Sequence, residues 1–193
     1  MDESSLTLSG LLRSVSRLHN DSNPVCVRCC IPAEAYFYIT DLSSNILKDF
    51  QRQTILHWNA VEILQLCAQR YSVFLDLFHK DQYKKLVAPF NLKTRDGTLE
   101  FWSNLLPDKV PNLNPDIYEG TIPYMLRHTQ LLPRQMILLL NKCFSRHFEN
   151  GGTVGDKIPS EIITQSVRET EGQIADQIII AHKYIWPDAS EQL

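Results

Sequence analysis

The segment YMLRHTQLLPRQMILLLN, residues Tyr124–Asn141, decides which fold the sequence predicts. Pro133 fits the first turn of a helix, where a missing backbone N–H has no structural cost. Apolar residues then recur at helical spacing and form one wide face: Met136, Ile137, Leu139, Leu140, Cys143 and Phe144. We therefore expect a helix that begins at Pro133, preceded by a shorter helix that ends at the basic pair Arg127–His128.

Arg134 falls in the first turn of the expected helix. A cation there opposes the helix dipole, which favours anions at the N-terminus, so its presence calls for an explanation. One explanation is a phosphate bound jointly by the helix N–H groups, Arg127, His128 and Arg134. The other is a surface arginine paired with a carboxylate, an interaction that stabilises little. The sequence leaves both interpretations open.

The composition excludes several classes of protein. The chain has 193 residues, of which 44% are hydrophobic and 21% charged, as in ordinary soluble globular proteins. Its net charge of −3 argues against nucleic-acid binding by bulk charge, and the few cations of the final helices are diluted by acidic residues. No apolar run is long enough to span a bilayer, and the acidic, polar start MDESSLTLSG is not a secretory signal. We expect no membrane association and a cytoplasmic location.

Residues that could support catalysis or bind metal form no recognisable motif. Among the five cysteines, Cys26, Cys29 and Cys30 cluster without the second ligand pair that a zinc site requires. The simplest interpretation is that the cysteines are reduced, buried, small apolar side chains. The sequence contains no GxxxxGK[ST], GxGxxG or HExxH motif. A Cys–His nucleophile pair stays an alternative, because its members need not be adjacent in the chain. We expect no metal ion and no catalysis by this chain alone.

Periodicity predicts a mainly α fold, a helical bundle with one short buried β-strand near the N-terminus. The strand candidate is Val25–Ile31, VCVRCCI, an almost continuous apolar run that Pro32 ends. One strand cannot satisfy its own backbone groups. Either weak strands elsewhere in the chain pair with it, or its sheet belongs to something that is not in this chain.

Helical spacing covers most of the remaining sequence. A long helical pattern runs to about His79, with Trp58 as its expected core anchor. The prolines between Pro107 and Gly120 predict the longest loop. A last helix is expected from Ser160 or Thr164 to about Trp186. We divide the chain into residues 1–45, a helix, strand and connector, and residues 46–193, a helical domain.

Three stretches carry a family resemblance. They are VCVRCCIPAEAYFYI (25–39), LSSNILKDFQRQTILHWNAVEILQLCAQRY (42–71) and IPYMLRHTQLLPRQMILLLN (122–141). In order and approximate spacing they resemble the rear half of bacterial P-loop ATPases of the STAND class, relatives of AAA+ proteins. The block RHTQLLPRQ is the most specific part of the match. The resemblance implies that residues 25–31 are a late strand of the ATPase core and that the following helices form a lid.

The resemblance also implies a role for the basic residues. In that family an arginine at the start of a lid helix acts as a sensor that reaches the phosphates of the nucleotide. This role falls on Arg134, with Arg127 and His128 on the same phosphate side. The chain departs from the family because it has neither the phosphate-binding loop nor the acidic strand that organises Mg²⁺. ATP and Mg²⁺ are therefore expected only with a complementary ATPase front half, as in a truncated or split gene product.

The alternative function is a free-standing helical protein-interaction module that binds no nucleotide. In that case the apolar segment Val25–Ile31 is the expected surface for self-association or for binding a partner. The two functions differ in what they require of Arg134. The lid function needs it near an anion, whereas the interaction module makes no demand on it.

Overall fold

The structure, a computed structural model, describes residues 7, 10–15, 17–18, 28, 30, 54–112 and 117–182, excluding the side chains of residues 177, 178, 181 and 182. Internal contacts divide the chain into two units, Met1–Leu56 and His57–Leu193. In the first unit, residues 10–15 are helical, and Leu12 and Val15 are buried. Of the expected strand Val25–Ile31, only Arg28 and Cys30 are described. Both are exposed and have no assigned secondary structure, and the rest of that segment lies outside the described residues.

The second unit confirms the prediction of a mainly α fold. Its elements, in chain order, are α1 (Ala60–Phe78), α2 (Lys80–Leu86), α3 (Arg95–Leu105), β1 (Lys109–Pro111), β2 (Tyr118–Gly120), α4 (Thr121–His128), α5 (Pro133–Glu149) and α6 (Ser160–His182). Helix α5 begins at the predicted proline, and it ends where Asn150 and Gly151 follow. Gly151 has a φ of 83°, a left-handed conformation that glycine adopts without steric cost.

The core is built around α1, which packs on α2, α3 and α5. The α3 residues Phe101, Trp102 and Leu105 are completely buried. The indole Nε1 of Trp102 donates a hydrogen bond to the backbone carbonyl of Leu64 at 3.1 Å. Two turns further along α1, the ring of Tyr71 stacks on Phe144 of α5, with centroids 4.6 Å apart.

Helices α5 and α6 form an antiparallel pair that is joined by polar side chains. Glu169 accepts from both Arg146 and Lys142, the latter at 3.1 Å. Arg146 also donates to Gln165 Oε1 at 2.8 Å. The hydrogen bond from Lys142 holds the pKa of the Glu169 carboxyl below its ordinary value. Because these groups are partly exposed, they fix the alignment of the two helices more than they add to stability.

The segment expected to be a loop contains a small antiparallel hairpin instead. Strands β1 and β2 pair with Val110 opposite Glu119 and Pro111 opposite Tyr118. Val110 is fully buried, and β1 packs against α6, so burial of one apolar side chain stabilises a pairing that Pro111 disfavours. Three-residue strands are too short to give a period-2 signal, which is why the sequence did not reveal them.

The prediction that Trp58 anchors the core is wrong. Trp58 lies outside α1 and is 45% exposed. The helix starts after Asn59, whose side chain accepts from the backbone N–H of Glu62 while the Glu62 carboxylate accepts from the backbone N–H of Asn59. This capping box makes α1 begin at Ala60. The apolar residues among 55–58 lie before the helix, although their spacing continues its apolar pattern.

Two helical glycines are expected to respond in opposite ways to substitution by alanine. A Cβ at Gly97 in α3 would lie 2.4 Å from the carbonyl oxygen of Asn91, whereas one at Gly172 in α6 would meet nothing within 4 Å. We expect Gly97→Ala to lower the free energy of unfolding by about 1–3 kcal/mol. We expect Gly172→Ala to raise it by about 0.5–1 kcal/mol, since alanine is the better helix former. Urea unfolding followed by circular dichroism measures both, and equal effects of the two variants would contradict the packing at Gly97.

Candidate functional site

The predicted basic residues lie where α4, α5 and α6 meet. Helix α4 packs on the hairpin, on α5 and on α6. Its residues Tyr124, Met125 and Leu126 are buried, the side chain of Arg127 is about half exposed, and that of His128 is largely buried. A short turn then leads to Pro133, the first residue of α5.

Arg127 has a carboxylate partner within the chain. Its Nη2 lies 2.9 Å from Glu119 Oε2, and its guanidinium lies 5.6 Å from the centre of the Tyr124 ring. Glu119 also accepts from the Asn112 side-chain amide at 3.3 Å, across the hairpin. Arg127 therefore links α4 to β2 and already has a counter-charge, although about half of its side chain is exposed.

His128 connects α4 to α6. Its Nδ1 lies 2.5 Å from Glu171 Oε1, and its ring lies 4.5 Å from that of Tyr124. Its Nε2 is buried and has no hydrogen-bond partner among the described residues. Burial and the Glu171 carboxylate raise the pKa of Tyr124 above its ordinary value, while Arg168 and Arg127 oppose the shift. The imidazole is therefore part of the packing between helices, and one of its nitrogens is already engaged.

The turn between α4 and α5 is held in an uncommon conformation. Gln130 and Leu131 have φ angles of 51° and 55°, a left-handed region that costs non-glycine residues of order 1 kcal/mol each. Thr129 is fully buried, and its hydroxyl donates to the Leu126 carbonyl at 3.1 Å. The Leu132 N–H donates to the Thr129 carbonyl at 2.9 Å. These bonds make the turn tight and fix the direction in which α5 starts.

Arg134 differs from the other two predicted residues because its side chain is exposed and has no ion pair among the described residues. The helix start around it is also open. Leu132 at the N-cap position provides no side-chain hydrogen bond, and the first turn of α5 contains no acidic residue. The first N–H groups of α5 and the guanidinium thus combine two positive features without a counter-charge.

The three predicted residues are close along the chain but differ in what surrounds them. Arg127 and His128 each contact a carboxylate, and Arg134 contacts none within the described residues. A phosphate site shared by all three stays a prediction. The carboxylate partners Glu119 and Glu171 were not predicted from the sequence. Glu171 is 43 residues from His128, so no local spacing links these two residues.

Two of the described cysteines are buried, which makes their thiols weakly reactive. Burial raises the pKa of the Cys67 thiol to about 11 and that of the Cys143 thiol to about 12, so neither is a nucleophile near neutral pH. Cys30 is exposed. Among the described residues, no group of three or more His, Cys, Asp or Glu side chains is arranged to hold a metal ion.

A cleft of about 510 Å³ opens at the other end of α5. It is lined by His79, Gln82, Phe148, Gly152, Thr153 and Val154. The ring of His147 occupies the space that a side chain at residue 152 would need, because a Cβ there would lie 2.3 Å from its Nε2. This cleft was not predicted from the sequence, since its walls come from residues 79–82 and 148–154, which are far apart in the chain.

Comparison with known proteins adds no assignment. No family model matches the chain, and no curated protein or solved structure matches it. Within residues 54–112 and 117–182 and the described positions before them, no helix has both the length and the apolarity needed to cross a membrane.

Alkylation tests whether the buried cysteines are unreactive in the folded protein. At pH 8.5 we expect iodoacetamide to modify Cys30 rapidly and to leave Cys67 and Cys143 largely unmodified, because both thiols are buried and protonated. Peptide mass spectrometry gives the extent at each cysteine, and alkylation in urea serves as the control. Rapid modification of Cys143 in the folded protein would contradict this structure.

Because of Tyr71, the free energy of unfolding depends on pH in the alkaline range. Its hydroxyl is buried without a partner among the described residues, and burial raises its pKa from 10.0 to about 12. The folded state therefore binds the phenol proton more tightly than the unfolded state does. The contribution of this proton to the free energy of unfolding is complete below pH 10 and is lost as pH rises toward 12. We expect Tyr71→Phe to be more stable by about 1 kcal/mol at pH 7 and by more above pH 10. Tyr118→Phe, at an exposed ring, is the matched control in the same melts and should change neither value.

Proposed function

We propose that the helical unit is the lid portion of a P-loop ATPase resembling the STAND class. Its task is to bring Arg134 to the terminal phosphates of a nucleotide that is held by a phosphate-binding loop outside these 193 residues. The lid itself has no catalytic role in this proposal, because the chemistry requires a P-loop lysine and a Mg²⁺ ion that other parts of the ATPase bind. The nucleotide state is communicated to a partner by the position of the lid helices.

The observation that carries this proposal is the open start of α5. Helices α1 and α3 begin with a side-chain cap, from Asn59 and from Thr94, whereas α2 and α4 begin without one, as α5 does. Helix α5 differs from α1, α2 and α3 because its first turn holds a cation, Arg134, and no acidic residue, and Arg134 has no ion pair among the described residues. An anion bound there satisfies the free N–H groups, favours the dipole and neutralises the guanidinium at the same time.

The proposal predicts a weak anion site that depends on Arg134. Inorganic tripolyphosphate is the probe, and amide chemical shifts in ¹⁵N-labelled protein are the readout. We expect residues 134–136 to shift as the probe is added, and Arg134→Ala to weaken binding about fivefold to tenfold, the value for one charged hydrogen bond or about 1 kcal/mol.

Arg95→Ala is the matched control, since Arg95 also lies in the first turn of a helix but is followed there by Asp96 and preceded by the Thr94 cap. It should leave the α5 site unchanged. If wild-type α5 shows no shift, or if both variants weaken binding equally, Arg134 has no special role and the lid proposal fails.

A second candidate function is a helical protein-interaction module. It is supported by exposed apolar residues on the C-terminal half of α1, where Val73, Leu77 and Phe78 face solvent. The segment Val25–Ile31, predicted from the sequence as the surface for self-association, lies almost entirely outside the described residues. The apolar surface on α1 is independent of Arg134, so the two functions can be tested separately.

A further inference from the structure

The apolar face of α1 extends beyond the core that covers it. Ile63, Cys67, Phe74 and Phe78 follow one another at intervals of four or seven and thus share one side of the helix. Ile63 and Cys67 are buried and Phe74 is half-buried, but Phe78 is 70% exposed. Leu77, which precedes Phe78 in the chain, and Val73, one turn before Leu77, are 65% and 57% exposed on an adjoining side of the helix. Single exposed apolar residues are ordinary, whereas a contiguous patch marks an interaction site.

This face is continuous with the cleft at the end of α5. The ring of Phe74 lies 5.6 Å from that of Phe78 and 5.3 Å from the imidazole of His79. His79 lines the cleft, together with Phe148 from α5. A volume of about 510 Å³ accepts one bulky side chain, with Phe148 and Val154 as apolar walls and Gln82 as a polar one.

Helix α2, which contributes Gln82 to the cleft, is basic, although the chain as a whole is acidic. Helix α2 presents Lys80, Lys84 and Lys85, all exposed and none in an ion pair among the described residues. With Asp81, the charge of α2 is three minus one, or +2, against −3 for the chain, while the carboxylate of Asp156 accepts from Thr153 at another wall of the cleft. Lys142 and Lys157, by contrast, contact carboxylates of the chain itself.

We propose that Val73, Leu77, Phe78, the adjacent cleft and the lysines of α2 form a docking surface for an acidic amphipathic helix of a partner protein. The exposed ridge of α1 suits a second helix, which packs by ridges into grooves, and one bulky apolar side chain of the partner fills the cleft. Acidic residues beside that side chain face the lysines and steer the approach. This inference rests on the interaction-module function and is independent of the anion site at Arg134.

The test uses a synthetic peptide of about 20 residues, long enough to form a helix, with leucines and one phenylalanine at intervals of three and four. Glutamates occupy the other positions, and a matched peptide has lysines in their place. Fluorescence anisotropy of the labelled peptides measures binding to the whole chain. We expect the glutamate peptide to bind about tenfold more tightly than the lysine peptide at low salt, and the difference to shrink as salt is added.

Two sets of variants separate the apolar and the charged contributions. The double substitution Leu77→Ser and Phe78→Ser should weaken glutamate-peptide binding at least about tenfold, the loss of two exposed anchors. Ile117→Ser, at a residue 53% exposed elsewhere on the unit, should change nothing. The double substitution Lys84→Glu and Lys85→Glu should reverse the preference, so that the lysine peptide binds more tightly.

Circular dichroism melts confirm that each variant folds. Equal binding of the two peptides, or no reversal in the charge variant, overturns the acidic partner but leaves an apolar interaction surface in place. Failure of both peptides to bind overturns the docking surface and the interaction module together. If the wild-type chain instead forms a dimer that Leu77→Ser and Phe78→Ser dissociate, a second copy occupies the surface and the proposal is overturned.

Discussion

The buried indole of Trp102 fixes the position of α3 on α1, and the rest of the unit is assembled on that pair. Its hydrogen bond to the Leu64 carbonyl joins a side chain of one helix to the backbone of the other. Such a bond, inside a close-packed core, fixes both the rotation of α3 about its own axis and its position along α1. The Ile158 N–H then donates to the Leu105 carbonyl at 2.8 Å, so the loop that leads into α6 is positioned by the end of α3.

Helix α5 transmits this arrangement to both candidate surfaces. It is held on α1 by the stack of Phe144 on Tyr71 and on α6 by the contacts of Arg146. Arg134 lies at its start and Phe148 at its end, roughly 21 Å apart at 1.5 Å per residue. Because a helix of this length moves as a rigid body, a ligand at one end affects the other only if α5 shifts on α1.

Much of the helical fold was predictable because strong local signals mark the ends of the helices. Pro133 marks the start of α5, and Met136, Leu139 and Leu140 of its predicted apolar face are buried. The start of α1 was also readable, since Asn59 and Glu62 have capping-box spacing, but the apolar pattern of residues 55–58 concealed it. Pairing of β1 with β2 was not readable, because burial of Val110 against other elements decides it.

The candidate site was predictable only in part, for the same reason. The position of Arg134 follows from Pro133 alone, a local rule. Whether Arg127 and His128 already have a counter-charge depends on Glu119 and Glu171. The packing of α6 on α4 brings Glu171 close to His128. Sequence spacing identifies cations, but only the tertiary structure shows which of them already have a counter-charge.

Arg134 and Phe78 mark two places where a ligand adds interactions that the described residues do not supply. The first turn of α5 holds a cation and no acidic residue, whereas the first turns of α1, α2 and α3 contain Glu62, Asp81 and Asp96. The ring of Phe78 contacts Phe74, but the side chain is 70% exposed. Local departures without compensation are expected at functional sites, because a ligand supplies the missing interaction. An anion at Arg134 and an apolar partner at Phe78 supply different interactions, and any coupling between them must be reciprocal through α5.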